Sequence, residues 1–453
     1  MRIFGVSEFA ARLPSALAAL LAVIAVAWTS LRSFGLGTAW YSLLMLPTSV
    51  AVIGFSRAAS PDMLFAGLLT AAMAIAIEIL QKARPGPLLR FAFGFFLGSA
   101  VLAKGPAGVI IAGGATLLWA ALSRQWRAPF RFLHPTVIAV FCATALPWYI
   151  LCSMRNPDFL RIFIWQHNFE RYLTPIFQHP QPFWFYVPIL LTASFPWIVV
   201  AIGPLCVKWN KEGWENSPAL FIFCWAFFPF LFFSFSQSKL PGYILPSVPP
   251  LFLLVVRGMD RMFDFKPWMA GLLTGCSGAA LAVGSLASGK ILRMLGHTFN
   301  ISNSHVVALE AMVVTGGLIV VALSLAKKPT SAIAATALLI ACLLLFMNAR
   351  ILPTADFRIS ARDAAHDSLL LNPSGKNLMV FGLSRDWNYG MDYYFGRDLP
   401  EWTPGAPLPE WLLTTGGNAA SFQRFGDHIQ VVSRVGDPLA VLLHIFPPID
   451  KTP

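Results

Sequence analysis

Residues 236–250 read "SQSKLPGYILPSVPP", with a lysine, a glycine and four prolines set between two strongly apolar blocks. A charge at the centre of a bilayer costs roughly 2.5–3.5 kcal/mol on insertion scales, so Lys239 needs a reason to be there. Pro241 and Gly242 argue against a regular helix across "KLPGY". Irregular backbone at membrane depth is stable only when buried in protein or lining a cavity. If its neighbours are spans, this stretch is an irregular turn at an internal site, where an amine, a phenol and free backbone N–H groups suit a phosphate. Snorkelling of Lys239 to the interface is the plainer alternative.

Composition makes the neighbours spans. Of the 453 residues, 57% are hydrophobic and only 12% charged, about half the charged share of soluble chains. The mean hydropathy is +0.65. Apolar blocks run at 13–31, 38–56, 63–81, 88–103, 106–122, 134–151, 184–205, 218–235, 243–256, 267–288, 306–325 and 331–347, predicting a mainly α, polytopic bundle of about twelve spans. The predicted division is 1–347 for the membrane region, with a long loop at 152–183, and 348–453 for a small α/β domain. In that tail "NLMVFGL" and "HIQVVSRV" read as strands.

The net charge of +12 has a membrane explanation. Arg32, Lys82/Arg84/Arg90, Arg124/Arg127/Arg131, Lys208/Lys211, Arg257/Arg261/Lys266 and Lys327/Lys328 fall in alternate connections, which the positive-inside rule assigns to the cytoplasm. No basic run interleaved with aromatics marks a nucleic-acid partner. The six cysteines lie in or beside apolar blocks without a CxxC pair, so neither disulfides nor a thiolate metal site is expected. The opposite face collects "SRAASPDMLF" (56–65), "AKGPAG" (103–108), the long loop, "SQSKLPGY" (236–243) and the tail. Independent polar features on one face read as a site.

Each has a plain reading beside the functional one. Asp62 follows Pro61 at a span start, where an acid suits the helix dipole, or it serves as a functional acid. Lys104 snorkels, or meets a lipid phosphate from a tight Gly-Pro turn. In the loop 155–184, Arg161, His167, Glu170 and Arg171 alternate with aromatics, and Phe159 to Leu173 could form an amphipathic interfacial helix. That helix anchors the loop in the interface, or forms a pocket with arginines on phosphate. His167 and Glu170 lack a third ligand at metal-binding spacing, and neither metal nor cofactor is expected.

Five stretches carry a family resemblance: "FGVSEFAARLPSAL" (4–17), "SPDMLF" (60–65), "AKGPAGV" (103–109), "PWYILCSMRNPDFLRIFIWQHNFERYLTPIFQHPQPFWFYVPIL" (147–190) and "SQSKLPGYILPSVPPL" (236–251). From the first residue to about Arg257 the chain resembles the bacterial aminoarabinose transferases that modify lipid A. More widely it is similar to the protein O-mannosyltransferase-like membrane glycosyltransferases of the GT-C fold. The resemblance implies transfer of a sugar from a polyprenyl-phosphate donor to lipid A or another envelope acceptor. It implies a multi-pass inner-membrane protein whose active face and tail are periplasmic. Lys239, Tyr243 and Arg171 match donor-phosphate positions, Lys104 a Lys-Gly turn, and Asp62 the second of two acidic positions.

Similar proteins carry one more span before this start, then a loop with the first catalytic carboxylate. The expectation is therefore an in-frame upstream stretch of roughly 60–90 codons, about 20 of them for a span. The competing reading is a remnant that binds lipid phosphate without turnover. A transporter would instead show paired broken helices in corresponding halves.

The charge alternation makes a direct prediction. With the native cysteines removed, cysteines engineered into 82–90 and 257–266 stay shielded from an impermeant thiol reagent in intact cells. Cysteines near Ser60 and in the tail react once the reagent reaches the periplasm; the reverse pattern would invert the topology.

Overall fold

A computed structural model describes residues 5–174, 180–201, 217–423, 429–436 and 438–446, without the side chains of 167, 357–359, 423 and 436. It divides into two compact units, Met1–Leu286 with Met312–Ala341, and Ala287–Ala311 with Cys342–Pro453. The expected boundary at 347/348 falls inside the second unit, which also takes the adjoining ends of two long helices.

The first unit is a helix bundle. Its helices are α1 (Glu8–Phe34), α2 (Leu36–Met45), α3 (Val50–Ser56), α4 (Pro61–Gln81), α5 (Pro87–Lys104), α6 (Ala107–Ser123) and α7 (Pro135–Arg155). They are followed by α8 (Tyr186–Ala193), α9 (Pro218–Ser234), α10 (Val248–Phe265), α11 (Pro267–Thr298), α12 (Asn303–Leu325) and α13 (Pro329–Phe346). The α11 and α12 ranges run on into the second unit.

Each of the twelve predicted spans contains a helix, but the count differs. Among the described residues, eight helices are long and apolar enough to cross a bilayer, or nine if α2 and α3 form one broken span. The other three, Ala107–Ser123, Phe183–Ala193 and Pro218–Ser234, are shorter. An apolar run in sequence counts residues that the backbone spends on turns. Between α2 and α3 the break at Pro47 bends the axis by 58°. There Ser49 caps α3, the Val50 N–H donates to the Phe195 carbonyl (3.0 Å), and the Trp197 indole donates to Thr48 (3.1 Å). The groups freed by the break are thus satisfied by protein, as a lipid environment demands.

The middle of the bundle is α4. Its side chains from Met63 to Ile79 are nearly all buried, and Phe65, Leu69 and Met73 join Trp225, Phe252 and Leu253 in one core. Lipid tails are as apolar as leucine, so close packing rather than burial from water holds such helices together. Small residues provide it. A Cβ on Gly94 would lie 2.6 Å from the Val137 carbonyl, and one on Gly98 2.9 Å from Thr144, so α5 and α7 nearly touch. Gly67 of α4 lies against the Ala18 carbonyl of α1. On α11 and α12, Gly278 and Gly317 meet backbone to backbone.

Polar pairs gather at the arginine-rich end. Glu78, almost fully buried, accepts from Arg32 (3.1 Å) and Lys82 (3.2 Å). Arg131 donates to the carbonyls of Ile79, Leu80 and Lys82, closing the C-terminus of α4. Thr38 of α2 donates to Asp260 of α10, which also pairs with Arg257.

The second unit contains the four-stranded sheet that makes the tail an α/β domain. Its strands are β1 (Leu378–Phe381), β2 (Trp411–Thr414), β3 (Ile429–Gly436) and β4 (Ala440–Ile445), in the order β1-β2-β4-β3. The first pair is parallel, with Leu378 opposite Trp411; the others are antiparallel, with Trp411 opposite His444 and Ile429 opposite Ile445. Both predicted strands are present, as β1 and β3. Alternation covers both faces: Leu413 and Leu442 pack with Trp387 and Met391, whereas Leu412, Val441 and Leu443 pack with Trp402 and Ala419.

Close approach at Gly67 is testable. Gly67→Leu is expected to lower the stability of the detergent-solubilised chain by about 1–3 kcal/mol, the usual cost of overpacking, because the Ala18 carbonyl belongs to a rigid backbone. Thermal unfolding against Gly113→Leu, where a Cβ meets nothing within 4 Å, provides the control.

Candidate active site

At the other end of α4 the sequence "SPD" builds a helix start. The Ser60 hydroxyl accepts from the Asp62 N–H (3.3 Å) and donates to Asp62 Oδ2 (2.7 Å), with Pro61 in the first turn. Ser15 of α1 donates to the Ser60 carbonyl (3.2 Å), fixing the turn on its neighbour. The carboxylate therefore has little rotational freedom.

The cation arrives from α5. That helix ends at Lys104, and Gly105 adopts the left-handed region (φ 74°) that a tight reversal into α6 requires. Lys104 Nζ forms an ion pair with Asp62 Oδ1, each side chain only about a fifth exposed (22%). The third wall is "KLPGY", which folds as a 3₁₀ turn over Pro241–Ser247 leading into α10. It sets the Tyr243 ring 4.8 Å from Lys104 Nζ. Arg171 approaches the same ring, its guanidinium carbon 5.6 Å from the centroid. Two cations thus share one aromatic ring beside a carboxylate.

Arg171 comes from the long loop, whose residues 159–173 are helical as expected. From Arg161 to Glu170 the turn is π-helical, a wider register often found at functional sites. The loop is tied down on both sides. Asn168 and Phe163 pack against Gly105; Tyr172 donates to the Phe232 carbonyl (2.8 Å), and the Gln237 N–H donates to the Tyr172 carbonyl (2.9 Å).

Lys239 is buried in the adjoining turn. Its ammonium donates to the carbonyls of Ser236 (2.6 Å) and Gln181 (2.9 Å), leaving one of its three donors. Burial pushes its pKa below the usual lysine value. Arg161 points outward in an exposed pair with Asp158 (3.1 Å), and the half-buried Glu170 carries the carbonyl that accepts from Thr174. The side chain of His167 lies outside the described residues. Asp62, Lys104, Tyr243 and Arg171 are therefore brought together, and Arg161 is not.

Three contributors escaped the sequence reading. Ser60 was signalled by the cap pattern but was not singled out. Phe65, 5.7 Å from Lys104 Nζ, resembles any span residue. Gly242 was legible only as a helix breaker, yet a Cβ there would stand 2.7 Å from Asp62 Oδ2 and 2.9 Å from its Cγ. Beside the cluster an apolar groove of about 560 Å³ runs past Gly54, Phe55, Pro188 and Ile189 to Pro241 and Leu245, the turn that carries Tyr243.

The fold is similar to that of ArnT from Cupriavidus metallidurans: over 98% of this chain and 85% of the other, it superposes on the crystal structure of that protein bound to undecaprenyl phosphate, with a TM-score of 0.76 and 21% identity. The apo form of that protein gives 0.78. Residues 1–148 match the family described as dolichyl-phosphate-mannose-protein mannosyltransferase. An undecaprenyl phosphate-α-4-amino-4-deoxy-L-arabinose arabinosyl transferase from Edwardsiella ictaluri is 32% identical over 291 residues, 63% of this chain and 50% of that protein. One from Erwinia tasmaniensis is 32% identical over 262 residues, 56% of this chain and 46% of its own length. The chain spans about half the length of these curated relatives. In fold, and in part of its sequence, it is similar to the aminoarabinose transferases.

The contact between Gly242 and Asp62 predicts a coupling. Gly242→Ala should destabilise the chain by about 1–3 kcal/mol, as overpacking does. In an Asp62→Ala background, where the carboxylate is gone, it should cost markedly less. Equal cost in both backgrounds, measured by thermal unfolding, would show that the carboxylate does not set this approach.

Proposed function

We propose that this chain is a membrane glycosyltransferase moving a sugar from a polyprenyl-phosphate donor to lipid A or another envelope acceptor, at the periplasmic face of the bacterial inner membrane. The observation carrying this reading is the Asp62–Lys104 pair, with Tyr243 and Arg171 closing over it beside an apolar groove. The relatives' names make 4-amino-4-deoxy-L-arabinose the sugar of choice. The basic connections at the opposite end support the sidedness.

In this reaction the acceptor hydroxyl oxygen bonds to the anomeric carbon. The bond from that carbon to the phosphate oxygen breaks, and its electron pair leaves with the phosphate. Negative charge grows on the phosphate, and fixed cations aimed there supply electrostatic stabilisation. Lys104 and Arg171 are those cations, and Lys239 offers its remaining N–H. A phosphate that recruits Lys104 loosens its pairing with Asp62, whose carboxylate then takes the acceptor proton, an effect worth about 10²–10⁴-fold. The polyprenyl chain lies in the groove ending at Pro241, its apolar walls replacing lipid.

Lys104→Ala, Arg171→Ala and Lys239→Ala should each weaken polyprenyl-phosphate binding by about 1.5–3 kcal/mol. Lys239→Arg should rescue only in part, because a planar fork replaces a compact ammonium. Asp62→Asn should retain binding and lose transfer. Unchanged binding in folded Lys104→Ala and Arg171→Ala variants overturns the site. Binding by the unmodified chain with no transfer from any polyprenyl-phosphate sugar identifies a lipid-phosphate-binding protein.

A further inference from the structure

A second groove opens at the arginine-rich end and runs along α6 as far as Val109. It has a volume of about 650 Å³ and is formed where α5, α6 and the start of α7 meet the short 3₁₀ turn Ala128–Leu133. Phe93 and Leu97 form one wall, Val109, Gly113 and Leu117 another, and Trp126 stands at the mouth. The α6 wall from Val109 to Leu117 is about 12 Å long at the helical rise. Its lining is almost wholly apolar, and Gly113 leaves it open, since a Cβ there meets nothing within 4 Å.

The mouth is strongly basic. Arg124 ends α6 and Arg127 precedes the 3₁₀ turn; both are exposed and flank Trp126. Arg90 stands on the α5 face of Phe93 and Leu97, at helical spacing, its Nη1 3.0 Å from His134 Nε2. From residue 79 to residue 157 the chain has no aspartate or glutamate. Glu78, just before, is taken by Arg32 and Lys82. Among the described residues no ion pair reaches Arg124 or Arg127.

We propose that this groove is a binding site for one anionic glycerophospholipid of the surrounding bilayer. An acyl chain fills the channel past Gly113, the glycerol region lies at Trp126, and the phosphate headgroup rests on Arg124 and Arg127. Apolar concavity alone would accept any lipid; the unopposed arginines select for negative charge. The site does not depend on the transferase reading, because it shares no residue with the Asp62 cluster.

The test uses the purified full chain in detergent with phosphatidylglycerol or phosphatidylcholine of identical acyl chains, and bound lipid is counted by native mass spectrometry. Phosphatidylglycerol should be retained at about ten- to thirty-fold lower concentration, the effect of two juxtamembrane basic residues. The double variant Arg124→Ala/Arg127→Ala should erase that preference. Gly113→Phe, or Gly113→Leu if the larger ring hinders folding, should reduce retention of both lipids. Polyprenyl-phosphate binding should be unchanged in these variants, which separates this site from the one at Lys104. Equal retention of the two lipids by the unmodified chain overturns the proposal. So does a Gly113 variant that keeps phosphatidylglycerol as the unmodified chain does, because only a diffuse basic surface would then remain.

Discussion

The helix α4 carries its two ionisable groups at its two ends, and each is neutralised by a neighbour. Asp62 and Glu78 are sixteen residues apart, about 24 Å along the axis, most of a hydrocarbon core. Between them nearly every side chain is buried in protein. Lys104 meets the first acid, while Arg32 and Lys82 meet the second. A carboxylate at the N-terminus has the helix dipole in its favour; Glu78 has it against, and two cations offset that. The pairs with Lys104 and Arg32 also join α4 to α5 and α1, which fixes the central helix in depth and rotation.

That fixed helix permits the unusually close approaches around it. In lipid, helices associate through contact and internal hydrogen bonds, and small residues determine how close backbones come. Gly67 brings α1 onto α4, while Gly94 and Gly98 bring α7 onto α5. Lys104 at the end of α5 can therefore reach an acid on α4. Helix spacing and site geometry are one problem here: a change of an ångström between α4 and α5 would part the pair.

The site itself concentrates positive charge where water is scarce. Lys104 and Arg171 face the same phenol ring, and its π-electrons moderate their repulsion. Lys239 is held back by two backbone carbonyls. A cation already oriented needs no reorganisation when negative charge develops, and this lowers a barrier most effectively in a low-dielectric site. The groove beside Pro241 and the one beside Trp126 share no lining residue.

Local chemistry was legible in the sequence. The "SPD" helix start, the Lys-Gly-Pro reversal at 104–106, the irregular "KLPGY" turn and the strands at 378–381 and 429–436 all follow from caps, prolines, glycines and β-branched runs. Apolar blocks located every helix of the bundle; among the described residues eight hold helices long enough to cross a bilayer, one is broken at Pro47 and three hold shorter helices, distinctions that hydropathy does not register. What only the tertiary structure decided is which groups meet. Asp62, Lys104, Arg171 and Tyr243 are separated by 42 to 181 residues of chain, and no spacing rule connects them. Arg171 directly follows the π-helical turn, a register that no sequence rule predicts. Gly242 shows the same limit: its requirement arises from a carboxylate 180 residues earlier, pressed against its Cα by the packing of helices that lipid cannot push together by the hydrophobic effect.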